Sequence, residues 1–149
     1  MKIFYALCAV LALSAASFAA EKQTVFTGYL SDVLCGTSGY LDGYQGNEKF
    51  NLKVSPEKNN VMCLLMDNCR KTGYGIFVKQ GDGKYAFYKF DKKGSDLAYT
   101  EVLSRMKNSM DPAPKIEVKG TLKGDTITVS SIKALPSSGG AAESHKMKM

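Results

Sequence analysis

The stretch from Ile116 to Ile132 constrains the fold of this 149-residue chain more than any other part of it. Ile116, Val118, Gly120 and Leu122 alternate with polar neighbours, Lys123-Gly124-Asp125 supplies a turn, and Ile127 and Val129 resume the alternation. A period of two collects the apolar residues on one face of a strand, so this stretch predicts a β-hairpin with one buried face. The phase slips near Ser130-Ser131, which predicts a bulge or a strand end there. Residues 24–31 repeat the pattern with Phe26, Gly28 and Leu30 on one face. Residues 74–79 and 84–90 form a second hairpin pattern, joined by Gln80-Gly81-Asp82-Gly83, whose glycines accept the positive φ angles of a tight turn.

Two segments carry helical spacing. Ser55-Pro56-Glu57 has the make-up of a helix start, and Met62, Leu65, Met66 and Cys69 follow at i, i+3, i+4 and i+7, predicting a helix over 56–71 that Gly73 stops. Gly94-Ser95-Asp96 opens the other, with Tyr99, Val102, Leu103, Met106 and Met110 on its apolar face and Asp111-Pro112-Ala113-Pro114 at its end. Residues 32–55 are rich in glycine and aromatics without sustained period and read as a long irregular loop. The expected class is mainly β with helices (α+β). The element order suits a five-stranded OB-like Greek-key barrel with a helix between strands 3 and 4 and an inserted Cys-containing loop and helix between strands 1 and 2. A looser α+β roll is the rival topology.

Residues 1–19 have one Lys, an apolar run from Ile3 to Leu13 and small residues at Ser17 and Ala19, the pattern of a cleaved signal peptide. The expected organisation is a leader at 1–19, one domain at 20–135 and a disordered tail at 136–149, which lacks apolar period. The expected location is secreted or periplasmic, with no membrane span after cleavage. The formal charge of +6 comes from scattered lysines, and Arg70 and Arg105 are the only arginines. Without the forked guanidinium contacts that read phosphates and bases, a nucleic-acid partner is not expected.

The motifs Ser31-Asp32-Val33-Leu34-Cys35-Gly36, Cys63-Leu64-Leu65-Met66, Gly73-Tyr74-Gly75, Phe87-Tyr88-Lys89-Phe90-Asp91 and Gly120-Thr121-Leu122-Lys123-Gly124-Asp125-Thr126-Ile127 carry a resemblance. Over residues 24–135 the chain resembles small exported bacterial proteins of OB-like fold and uncharacterised function. The resemblance implies that fold and that address. Members of the group often carry a His shortly after the Cys-Gly pair, whereas Thr37-Ser38-Gly39-Tyr40 holds none, so a Cys/His zinc site is not carried over.

Setting aside Cys8 in the leader, Cys35, Cys63 and Cys69 form an odd set in an oxidising compartment. On one continuous helix, Cys63 and Cys69 would stand about 9 Å apart along the axis. That exceeds the roughly 7 Å a disulfide spans between Cα atoms, so the pair requires a helix break near Asp67-Asn68. The expectation is one disulfide from Cys35 to either of the others. The alternative is a soft copper or zinc site made by Cys35, Cys63 and Cys69 with Met66, since sulfur ligands favour those ions. A third reading, a thiol-disulfide oxidoreductase, departs from Cys-x-x-Cys spacing. His145, Met147 and Met149 offer soft ligands in the tail.

No paired acids, phosphate-cradling loop or hydrolase signature is present, so the chain is expected to be non-enzymatic and without a cofactor. A binding role fits instead, for a peptide, glycan or other envelope component. Tyr85 and Tyr88, with Tyr29 and Phe87, are candidates on a sheet face, and Tyr40 and Tyr44 in the glycine-rich loop. Asp32, just after the first strand, reads as a turn former.

Overall fold

The computed structural model describes residues 22–43 and 48–136. The leader with Cys8, Tyr44, and the tail ligands His145, Met147 and Met149 lie outside the described residues.

The alternating segments form the strands expected of them: β1 (Thr24–Asp32), then, after an inserted segment, β4 (Tyr74–Lys79), β5 (Tyr85–Phe90), β6 (Lys115–Lys123) and β7 (Thr126–Ala134). These five close into a barrel in the order β1-β4-β5-β7-β6. Every contact is antiparallel except the short parallel pairing of β5 with β7 at Lys89–Thr126 and Phe90–Ile127. The expected irregularity occurs where Lys119 pairs with Ser131 but Gly120 with Val129, so Ser130 is the extra residue of a bulge. The molecule is thus a mixed α+β domain around a five-stranded barrel. Among the described residues no helix is long and apolar enough to cross a membrane.

Alternation fills the interior. Leu30, Ile76, Ile116, Val118, Ile127, Val129 and Phe90 form one buried cluster, with Phe26, Val78 and Tyr88 against it. Val61 and Leu64 join it from the inserted segment, and Ala98, Val102 and Leu103 from the helical stretch after β5. That stretch begins one turn earlier than expected: Asp91 caps α4 (Lys92–Leu97), its Oδ1 accepting the Gly94 N–H at 3.0 Å and the Val129 N–H at 3.1 Å. It continues through a π-helical turn, Ala98–Val102, and a 3-10 turn, Leu103–Arg105. Met110, expected on its apolar face, is 65% exposed because the helical stretch has already ended at Met106, which is extended.

The inserted segment departs most from expectation. Residues 32–55 are not a continuous loop: α1 (Val33–Ser38) follows β1 directly, and β2 (Tyr40–Asp42) pairs with β3 (Lys49–Asn51). Instead of one helix over 56–71 there is a 3-10 turn at Pro56–Lys58, then α2 (Val61–Leu65) and α3 (Asp67–Thr72). The capping residue is Asn60, whose side chain accepts the Cys63 N–H at 3.0 Å, and not Ser55. The helix breaks at Met66, which is extended (φ −61°, ψ 137°) and whose carbonyl accepts the Arg70 N–H that starts α3. Val61 and Leu64 become the buried face, while Met62 and Met66 turn outward.

This segment covers the outer face of β4 and β5. Phe77 is fully buried there, outside the barrel interior, with its ring 5.1 Å from that of Phe87. A Cβ on Gly36 of α1 or on Gly75 of β4 would run into the Phe87 ring, so both positions must be bare for the helix to lie on the sheet.

Candidate functional site

The seam between β1 and α1 holds three fully buried polar side chains, Ser31, Asp32 and Asn59. Asp32 is the N-cap of α1, its Oδ1 accepting the Cys35 N–H at 2.9 Å. Its Oδ2 accepts from Asn59 Nδ2 at 3.0 Å, and the same amide nitrogen donates to Ser31 Oγ at 2.9 Å. Asn59 Oδ1, also buried, has no hydrogen-bond partner. Buried polar groups persist where they are bonded. Asp32 is therefore a fixed acceptor of the interior, where sequence reasoning saw only a turn former.

Around this carboxylate the fold gathers the three thiols. Cys35, Cys63 and Cys69 are the third residues of α1, α2 and α3 respectively, and all three are free. Helices α1 and α3 pack against each other, which sets Cys35 and Cys69 on facing elements beside Asp32. Burial, followed by the negative charge of Asp32, pushes Cys35 up to about 12 and Cys69 up to about 11, and raises Cys63 from the same two causes. At neutral pH the trio is protonated. A reactive cysteine requires the opposite setting, a thiolate stabilised by positive charge. This gives the oxidoreductase reading no electrostatic support.

The sequence-derived metal ligands are brought together only in part. Met66 lies in the extended break and is 53% exposed. Among the described residues, no group of three or more His, Cys, Asp or Glu side chains is arranged to hold a metal ion. The expected copper or zinc set of Cys35, Cys63, Cys69 and Met66 therefore has neighbouring thiols without a chelating arrangement.

A second feature lies on the outer face of β5. A groove of about 500 Å³ runs from Gly36, Thr37 and Lys53 of the inserted segment, across Tyr85, Ala86, Phe87 and Lys89, to Asp125 in the β6–β7 turn, with Gln80, Asp82 and Lys84 at its rim. Lys89 Nζ lies 3.0 Å from Asp125 Oδ2, and this bond holds the Asp125 carboxyl below its usual range. The Tyr85 ring meets that of Tyr29 edge-on at 5.9 Å, and burial raises its hydroxyl.

Of the three described tyrosines expected to bind, Tyr40, Tyr85 and Tyr88, only Tyr85 lines this groove. Alternation along β5 turns Tyr88 toward the barrel cluster with Phe90, where its ring lies 6.3 Å from Phe26. Tyr40 is half-exposed on β2 and does not line the groove. The lysines were missed, although the period of two that joins Tyr85 to Phe87 also puts Lys89 on their face. Comparison with protein-family models, curated proteins and solved structures gave no match for the chain.

Proposed function

We propose that the chain is an exported, non-enzymatic binding domain with an OB-like Greek-key barrel, and that it takes an envelope glycan bearing acidic groups. A disulfide from Cys35 to Cys63 or Cys69 restrains it after export. The observation that carries this reading is the groove on β5, with Tyr85 and Phe87 in it and Lys53, Lys84 and Lys89 along it. Aromatic faces pack against sugar rings, and flexible ammonium groups meet carboxylates or phosphates without fixed geometry. Asp82 and Asp125 in the same groove suit hydroxyl donors of a sugar.

Support for the OB-like form comes from the barrel order β1-β4-β5-β7-β6, with its parallel β5–β7 contact and the helical stretch between the third and fourth barrel strands. OB-folds bind on the face of their second and third strands, between the loops that follow strands 1 and 4. The groove lies on the third barrel strand between the inserted segment and the β6–β7 turn, which supports that reading. Export rests on the leader pattern at residues 1–19.

Titration of the isotope-labelled protein with an acidic oligosaccharide and with its neutral counterpart tests the reading by amide shifts. Residues 84–89 and Asp125 are expected to shift with the acidic sugar, and Lys84→Ala with Lys53→Ala to weaken binding at least about tenfold. Shifts confined to other surfaces, or none with either sugar, would overturn it.

A further inference from the structure

We infer that in the oxidised protein Cys35 is bonded to Cys69, across the contact between α1 and α3, and that Cys63 is the thiol left over. The inference rests on the proposed reading that the exported domain carries one disulfide, and it selects the partner.

The strand register brings the two residues together. Asp32 of β1 pairs with Tyr74 of β4, α1 leaves the barrel directly after that rung, and α3 arrives just before it. The Val33 N–H donates to the Gly73 carbonyl at 3.0 Å, which fixes the two helix ends side by side. Cys35 lies three residues beyond the rung and Cys69 five before it, about one helical turn from the shared point on each side. Paired strand residues are about 5 Å apart between Cα atoms, so the two helices leave this rung as neighbours. Helices α1 and α3 are packed together along this stretch, so Cys35 and Cys69 stand on facing helices.

Cys63 stands near the same carboxylate but on a different helix. It belongs to α2, on the other side of the Met66 break, where its N–H is capped by Asn60 and its carbonyl accepts the Met66 N–H at 3.2 Å.

The step balances with a disulfide oxidant of the export compartment. One thiol displaces RSH from RSSR, forming a mixed disulfide, and the second thiol displaces the other RSH as the Cys35–Cys69 bond closes. Two thiols are oxidised, RSSR is reduced to two RSH, and both protons leave with them. Asp32 keeps the Cys35 N–H and the Asn59 amide throughout.

The test is a disulfide map of the full protein recovered from the export compartment, with free thiols alkylated under denaturing conditions and the chain cleaved before Asp67 to separate Cys63 from Cys69. A Cys35–Cys69 cross-linked peptide with alkylated Cys63 is expected. A bond from Cys63 to either partner overturns this inference and leaves the disulfide itself standing, whereas three alkylated cysteines overturn the disulfide as well. In a parallel measurement, Cys63→Ser is expected to keep a reductant-induced fall in Tm of more than about 10 °C, and Cys69→Ser to lack it. A Cys69→Ser protein that still responds to reductant overturns the assignment. Should Cys69→Ser fail to fold, the map of the unmutated chain and of Cys63→Ser decides alone.

Discussion

Inside the barrel, Leu30, Ile76, Ile116, Val118 and Ile127 are fully buried and contribute apolar surface alone, whereas residues 33–73 are organised around Ser31, Asp32 and Asn59, buried just beneath them. The barrel's support is spread over many side chains, each roughly interchangeable with its neighbours in the energy it supplies. In the inserted segment a few directional bonds fix α1, and with it the floor of the groove. Loss of one such bond leaves a buried polar group without a partner, a cost that repacking does not recover. The two regions should therefore fail differently, one by general softening and the other by local release.

Adjacent residues of β4 offer the sharpest separation, because Ile76 faces the barrel interior and Phe77 the layer under the insert, both fully buried. Phe77→Ala is expected to cost about 4 kcal/mol and Ile76→Ala about 3 kcal/mol in urea unfolding. Hydrogen exchange should show loss of protection across all five barrel strands for Ile76→Ala, but first in α1 and α3 for Phe77→Ala. Identical exchange patterns would erase the proposed distinction. Asp32→Ala comes next, at about 2–3 kcal/mol, since it removes a helix cap and leaves Asn59 dependent on Ser31 alone. Its signature is early exchange of the Cys35 amide while the β6–β7 amides stay protected.

Gly36→Ala is expected to cost about 1–3 kcal/mol by driving a methyl group into the Phe87 ring, and to narrow the groove. Full retention of stability and of ligand response would mean that α1 shifts freely on the sheet. Alkaline pH adds a smaller test, muted by the partial exposure of Cys35 and Cys63. The folded-state values of Cys35 and Cys69 lie above the ordinary 9.0, so the unfolded chain releases these protons first. The stability they supply is full below pH 9 and is lost as pH climbs toward 11–12. Chemical denaturation of the reduced protein should show that decline, and the oxidised protein a smaller one, since Cys63 and Tyr74 still titrate. The smallest effect is expected at the groove rim, where Lys89→Ala should leave the unfolding midpoint nearly unchanged, since both partners of the Lys89–Asp125 pair are substantially exposed. The Asp125 titration midpoint should rise toward its usual value.

How much was legible follows the same division. Strands β1, β4, β5, β6 and β7 were readable because alternation is a local record of which face is buried, and even the Ser130 bulge left its mark as a slipped phase. The insert left weaker traces. Helix α1 is six residues long and β2 and β3 three each, too short for any period to build up. Nothing in Leu65-Met66-Asp67 announces a break, since neither glycine nor proline is there. The packing of Tyr88 was also legible: the alternation that sends Phe90 inward sends Tyr88 with it.

What the sequence determined by itself was the set of barrel strands, their buried faces, and the presence of an odd trio of cysteines. The meeting of those cysteines at one carboxylate was decided only in three dimensions. Asn59 reaches Asp32 from 27 positions away, and Cys69 reaches Cys35 because β4 pairs with β1 in a register that no local pattern of either helix specifies. Side-chain alternation is set by the steric requirements of neighbouring residues in the chain, whereas a buried polar contact is set by where distant segments come to rest once the apolar faces have closed.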